Sequence, residues 1–305
     1  MIVRPPQHWF IRLFTWHGSV LSSIIFRLSL NIGMSIVAIV LFQWYEQLGI
    51  HLTVAPFSLL GIAIAIFLGF RNNATYSRFI EARALWGTMI IAQRNIMRLV
   101  INLVPDNKNL HKTICDYLIA YSWSLKNQLR NNEASYDVYR ILPKSVFLSV
   151  MNSAYPTNKI LLLLNREIAK INKDGQISDI HFNLISSSIN ELSHVQGGCE
   201  RIANTPVPFA YTLILQRTVY LFCTLLPFAL VTDLRYMTPF VSVFISYAFL
   251  AWDALAEQLE KPFGTESNDL PLNAICNTIE RNLMDMTKQK PLPPIHQPNS
   301  HYNLT

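Results

Sequence analysis

The run QLGIHLTVAPFSLLGIAIAIFLGF, Gln47 to Phe70, carries no formal charge over 24 positions, and Arg71 ends it. A helix rises about 1.5 Å per residue, and about 20 apolar residues cross the hydrocarbon of a bilayer, so this run predicts a membrane-spanning helix. Its far half, Leu60 to Phe70, sets Ile62, Ile66 and Phe70 on one stripe and Gly61, Ala65 and Gly69 on the stripe beside it. The small stripe permits close helix packing. The bulky stripe is then free to face something. If several copies meet around an axis, it forms a hydrophobic ring of the kind that gates a pore by dewetting.

The rest of the chain fits a membrane portion joined to a polar one. Of 305 residues, 51% are hydrophobic and only 14% charged, with mean hydropathy +0.25. The net charge of +6, from Lys+Arg 25 against Asp+Glu 19, gathers beside apolar runs and reads as membrane orientation, not nucleic-acid binding. Three further spans are predicted: Leu28 to Tyr45, Pro208 to Val231 and Tyr236 to Trp252. The joins Glu46 to His51 and Thr232 to Arg235 make two hairpins, whose tips hold one basic residue, Arg235. Basic residues cluster at the other ends: Arg4, Arg12 and Arg27, then Arg71, Arg78, Arg83, Arg94 and Arg98, then Arg201, then Lys261. The positive-inside bias puts both termini and the middle section in the cytoplasm.

The expected class is therefore all-α: a four-span helical membrane protein with a cytoplasmic helical domain. The expected divisions are an amphipathic segment at 1–27, a first transmembrane hairpin at 28–72 and a cytoplasmic helical domain at 73–206. A second hairpin at 207–256, a cytoplasmic helical segment at 257–287 and a disordered tail at 288–305 follow. Trp9, Phe10, Leu13, Phe14 and Trp16 suit a helix at the membrane surface. In the middle section Ser178 to Ala203 spaces Ile180, Leu184, Ile185, Leu192, Val195, Cys199 and Ile202 as a helix. Asp106 to Asn109 and Asn131 to Glu133 read as turns, and Asp174-Gly175 as a helix end. The tail is rich in Pro, Asn and His.

Several features bear on chemistry. Arg217 falls inside the third span, where a charge costs about 2.5–3.5 kcal/mol on insertion scales, and so needs water or a partner. Pro227 predicts a kink, whereas Pro208 and Pro239 mark helix starts. Cys115, Cys199, Cys223 and Cys276 have no ligand spacing, and His181 and His194, 13 residues apart, form no metal-ligand pattern and read as solvated or capping residues. No G-x-S-x-G, H-E-x-x-H, P-loop or dinucleotide motif is present. No enzymatic activity and no cofactor are expected. Pro262 to Asp269 offers two carboxylates, Glu266 and Asp269, as candidate cation contacts; a turn leading into a helix over Asn273 to Met286 is the plainer reading.

Specific motifs resemble the bestrophin family, over about residues 1 to 287. They are Trp16-x-Gly18-Ser19, Leu68-Gly69-Phe70-Arg71-Asn72, Ser77-Arg78-Phe79, Glu81-Ala82-Arg83 with Trp86-Gly87, Gly197-Gly198-Cys199-Glu200-Arg201, Thr205-Pro206-Val207-Pro208-Phe209 and Pro262-Phe263-Gly264. The details are similar to its bacterial branch. The resemblance implies a homopentameric channel that passes small inorganic ions through the bacterial inner membrane, with itself and membrane lipid as partners. It implies a neck lined by Ile62, Ile66 and Phe70 and a cytosolic constriction at Ile180. Animal members conduct chloride and open with calcium held by a dense acidic cluster after Pro-Phe-Gly; here that stretch has only Glu266 and Asp269. The family label is anion channel, whereas the bacterial branch resembles cation channels. Glu46 and Asp233 against Arg235 make the hairpin tips slightly acidic. A secondary transporter or a membrane-tethered interaction protein is the alternative class.

Overall fold

The computed structural model describes residues 1–6, 8–49, 52–133 and 135–305. Among these, eleven α-helices follow one another: α1 (Trp9–Leu13), α2 (Leu21–Gln47), α3 (Val54–Leu103), α4 (Lys108–Leu129), α5 (Ser135–Tyr139), α6 (Lys144–Met151), α7 (Pro156–Lys173), α8 (Asp179–Asn204), α9 (Phe209–Leu234), α10 (Thr238–Glu260) and α11 (Leu272–Met286). The described residues hold no β-strand, only an isolated antiparallel bridge between Ile2 and Asn303. The all-helical class is the observed one.

The chain separates into two compact units, and α3 passes from one to the other. One comprises Pro5–Phe79 and Pro206–Lys261. Its core joins Ile24 and Leu28 of α2, Ile64 and Leu68 of α3, Val219, Phe222 and Leu226 of α9, and Leu250 and Ala254 of α10. A polar knot lies inside it. Asn31 donates through Nδ2 to the Cys223 carbonyl (2.6 Å) and Ser246 Oγ (3.0 Å), and Ser242 Oγ donates back to Asn31 Oδ1 (3.0 Å). Three apolar helices are thereby tied by hydrogen bonds that lipid does not compete for. The apolar stretches of this unit are long enough to cross a membrane, yet within the protein only 28% of the Leu21–Trp44 window and 17% of the α3 window are buried. Exposed apolar surface of this extent marks a site of contact with a membrane or another protein.

The sequence places the second span at Gln47, but the helix starts at Val54. Absence of charge does not make a helix. The chain turns after α2 at Leu48 and at Gly49, whose φ of +70° only glycine adopts freely, and Ile50 and His51 of the predicted join lie outside the described residues. Pro208 caps α9 and Pro239 sits in the first turn of α10, where a missing N–H is harmless. Helix α9 continues through Pro227 as a single element.

The other unit comprises Met1–Arg4, Ile80–Thr205 and Pro262–Thr305. Its second segment begins at Ile80, within the uninterrupted helix α3. Helix α4 is central, with Ile114, Leu118, Tyr121 and Leu125 fully buried. Gln93 of α3 donates to Ser122 Oγ (2.8 Å), and the Tyr121 hydroxyl donates to the Leu192 carbonyl of α8 (2.7 Å). Asn107 and Ser178 cap α4 and α8, and Gly175 at φ +70° ends α7. An alanine Cβ at Gly198 would lie 2.8 Å from Leu85 Cδ1, so this glycine of α8 marks a close approach to α3, whereas nothing lies within 4 Å at Gly197.

The expectation of a disordered tail over 288–305 is corrected. The segment has no helix, but its backbone pairs with the first residues. Val3 N donates to the Tyr302 carbonyl (2.9 Å), Leu304 N to that of Met1 (2.8 Å) and Ala274 N to that of Thr305 (2.9 Å). The Arg4 guanidinium lies 5.3 Å from the centre of the Tyr302 ring. Composition signals a poor core, but it does not reveal backbone partners 300 residues away.

Candidate functional site

Helix α3 divides its first turns by face. Ile64 and Leu68 are buried (2% and 0% exposed), whereas Ile62, Ile66 and Phe70 are 60%, 53% and 62% exposed on one stripe. All three predicted residues thus point away from the rest of the chain. The small stripe beside them has two roles. At Gly61 an added Cβ would meet the Phe222 ring of α9 at 3.4 Å, so this glycine serves packing within the protomer; at Gly69 nothing lies within 4 Å.

Arg71 ends the apolar run, yet it is only 1% exposed. It forms an ion pair with Asp253 of α10, with both side chains fully buried, and a longer one with Glu260 at 3.8 Å. Asn72 donates through Nδ2 to the Trp252 carbonyl of α10 (3.2 Å). The sequence reading counts Arg71 only as an orienting charge and passes over Asp253. The available signal is an acid isolated between Trp252 and Ala254-Leu255-Ala256 at the end of an apolar helix. Arg217 is exposed on α9.

Ile180 stands in the first turn of α8 and is 73% exposed, with Leu184 on the same face and Ile185, Ile189 and Leu192 buried on the other. Further along α8, Arg201 pairs with Glu81 of α3. Glu266 and Asp269 are brought together, though as parts of a turn. Asp269 is buried; its Oδ2 accepts from the Glu266 amide (2.7 Å), and its own amide donates to the Glu266 carbonyl (3.1 Å). Burial raises the Asp269 carboxyl above its ordinary range, and the hydrogen bond from the Glu266 amide opposes that rise. The Arg130 guanidinium donates to the carbonyls of Phe263 (3.1 Å) and Leu270 (3.3 Å) on the same turn. Among the described residues no three His, Cys, Asp or Glu side chains are grouped to hold a metal. Cys115 and Cys199 are buried and pushed up to about 12 by that burial, as inert thiols are.

Helices long and apolar enough to cross a membrane, two of which bury less than a third of their apolar windows, define a helical membrane protein. The chain belongs to the bestrophin family: the profile described as Bacterial/Fungal Bestrophin protein matches residues 1–285. It is 53% identical over 305 residues, all of both chains, to "Voltage-dependent anion channel-forming protein YneE" of Salmonella typhimurium. It is 52% identical, again over both full chains, to the protein of that name in Escherichia coli K12. A crystal structure of a bacterial bestrophin homolog from Klebsiella pneumoniae superposes with a TM-score of 0.87 and 66% identity, covering 88% of this chain and 100% of that one.

Proposed function

We propose that this chain forms a homopentameric channel for passive conduction of small monovalent ions across the bacterial inner membrane. Four spans, residues 28–72 and 207–256, cross the bilayer, with both termini and the section 73–206 on the cytoplasmic side. Five copies of α3 present Ile62, Ile66 and Phe70 to the axis as a neck, and Ile180 makes a second constriction. The observation that carries this reading is the outward stripe of the three neck residues on a helix whose opposite stripe is buried. Such a neck offers an ion no replacement for its hydration shell, so it conducts only while wide enough to stay wet. The relatives named as channel-forming support the same reading.

The test is conductance in planar bilayers. Ile66→Ala and Ile180→Ala each widen one constriction and are expected to raise single-channel conductance. Native currents from both variants overturn the pore assignment. For ion sign, the acidic hairpin tips, Glu46 and Asp233 against Arg235, favour cations. The printed names of the relatives favour the second reading, an anion channel. Reversal potentials under a sodium chloride gradient separate the two, a shift toward the sodium potential being the expected result.

A further inference from the structure

The stripe of α3 that faces the protomer runs Ile64, Leu68, Arg71, Thr75, at intervals of four, three and four, and all four are buried. Its first two members meet the apolar core, whereas its third is a cation paired inside the protein with Asp253 and flanked by Glu260. A buried ion pair is weak evidence for stability, because desolvation offsets most of the attraction. This pair is also incompletely bonded: Arg71 Nε and Asp253 Oδ2 are buried without a hydrogen-bond partner. Apolar residues at both positions together would fill the space without leaving these atoms orphaned. What an ion pair supplies and an aliphatic contact does not is register. Ile64 and Leu68 could exchange ridges by sliding α3 one turn, whereas Arg71 finds its carboxylates at one height and one rotation only.

Two neutral ties act on the same turns. Asn72 donates to the Trp252 carbonyl, and the Tyr211 hydroxyl of α9 donates to the Phe67 carbonyl (3.3 Å). Glu260 is itself held in place, accepting from the Val207 amide (3.3 Å). Phe70 lies inside this bracket, about 100° around the helix from Arg71. We infer that Arg71 and Asn72 are positioning residues: by locking the height and rotation of α3 against α10 they aim Phe70 at the pore axis and set the width of the neck. The effect on conduction rests on the neck assignment above; the locking of α3 does not.

The experiment uses the full-length assembled protein with two readouts. One is single-channel conductance in planar bilayers. The other is the mobility of a nitroxide attached through Phe70→Cys, the four native cysteines being buried. Asp253→Asn and Asn72→Leu are each expected to raise conductance several-fold and to loosen the nitroxide spectrum, while Asp253→Glu, which keeps the pair, returns both to native. Assembled Asp253→Asn protein with native conductance and a native spectrum overturns the inference. Should Asp253→Asn fail to assemble, Asn72→Leu, which leaves no unpaired charge, decides by the same two readouts. If Ile66→Ala does not change the current, the neck assignment falls by itself and the nitroxide spectrum alone decides whether α3 is locked.

Discussion

From Val54 to Phe79, helix α3 exposes Leu59, Ile62, Ile66, Phe67 and Phe70 and buries Ile64 and Leu68; from Ile80 to Leu103 it buries Ala82, Trp86, Met89, Ile96, Met97 and Val100 and exposes Ile80 and Ile91. One continuous helix thus treats its apolar side chains in two ways. In the second stretch the surrounding water drives large side chains inward, as in any soluble core. If the first crosses the bilayer, as proposed above, lipid removes that drive, and inward positions go to whatever packs closely or pairs, including Arg71 and Thr75. The lesson lies in the inward positions: the first stretch admits a charge, Arg71, among them, whereas the second fills them with large apolar side chains and the neutral Gln93.

Truncation sharpens this comparison most. Trp86→Ala removes a fully buried ring from the second stretch and is expected to destabilise the protein by about 3–5 kcal/mol, read as a lowered Tm in detergent. A smaller effect separates the regions by pH. Burial raises Asp116 in α4 from 3.8 to about 6, so its native carboxyl holds a proton more tightly than the unfolded chain does. Ionising it therefore costs stability, a cost absent below pH 3.8, growing through the window up to about 6, and complete above it. Asp116→Asn should then stabilise the protein at pH 8 by about 2 kcal/mol after allowance for partial exposure, and by nothing measurable at pH 3.5. Smallest of all is the stability change for Ile66→Ala, within about 0.5 kcal/mol because its side chain faces outward. A loss as large as that of Trp86→Ala would mean that the stripe is core and would break the comparison.

Much of this was legible in the residues. The spacing of Ile62, Ile66 and Phe70 predicts one stripe, and the stripe faces outward; Pro208, Pro239, Asn107 and Gly175 mark helix ends where the chain turns. Motif order identifies the family. The Arg71–Asp253 pair was not legible, because its partners are 182 residues apart and no local pattern announces a tertiary contact. The start of α3 at Val54 was missed because hydropathy reports the solvent a segment prefers, not its backbone conformation. The pinned tail was missed for a related reason: its order comes from backbone hydrogen bonds to Met1 and Val3, which side-chain composition does not encode.

The knot at Asn31 bears on how the chain is made. Its partners Cys223 and Ser246 lie 192 and 215 residues downstream. At a synthesis rate of about 5–20 residues per second they emerge about 10–40 s after Asn31 itself. If α2 enters the bilayer as it is translated, it carries an unsatisfied amide through that interval, and the nascent intermediate is held back from its final stability until α9 and α10 arrive.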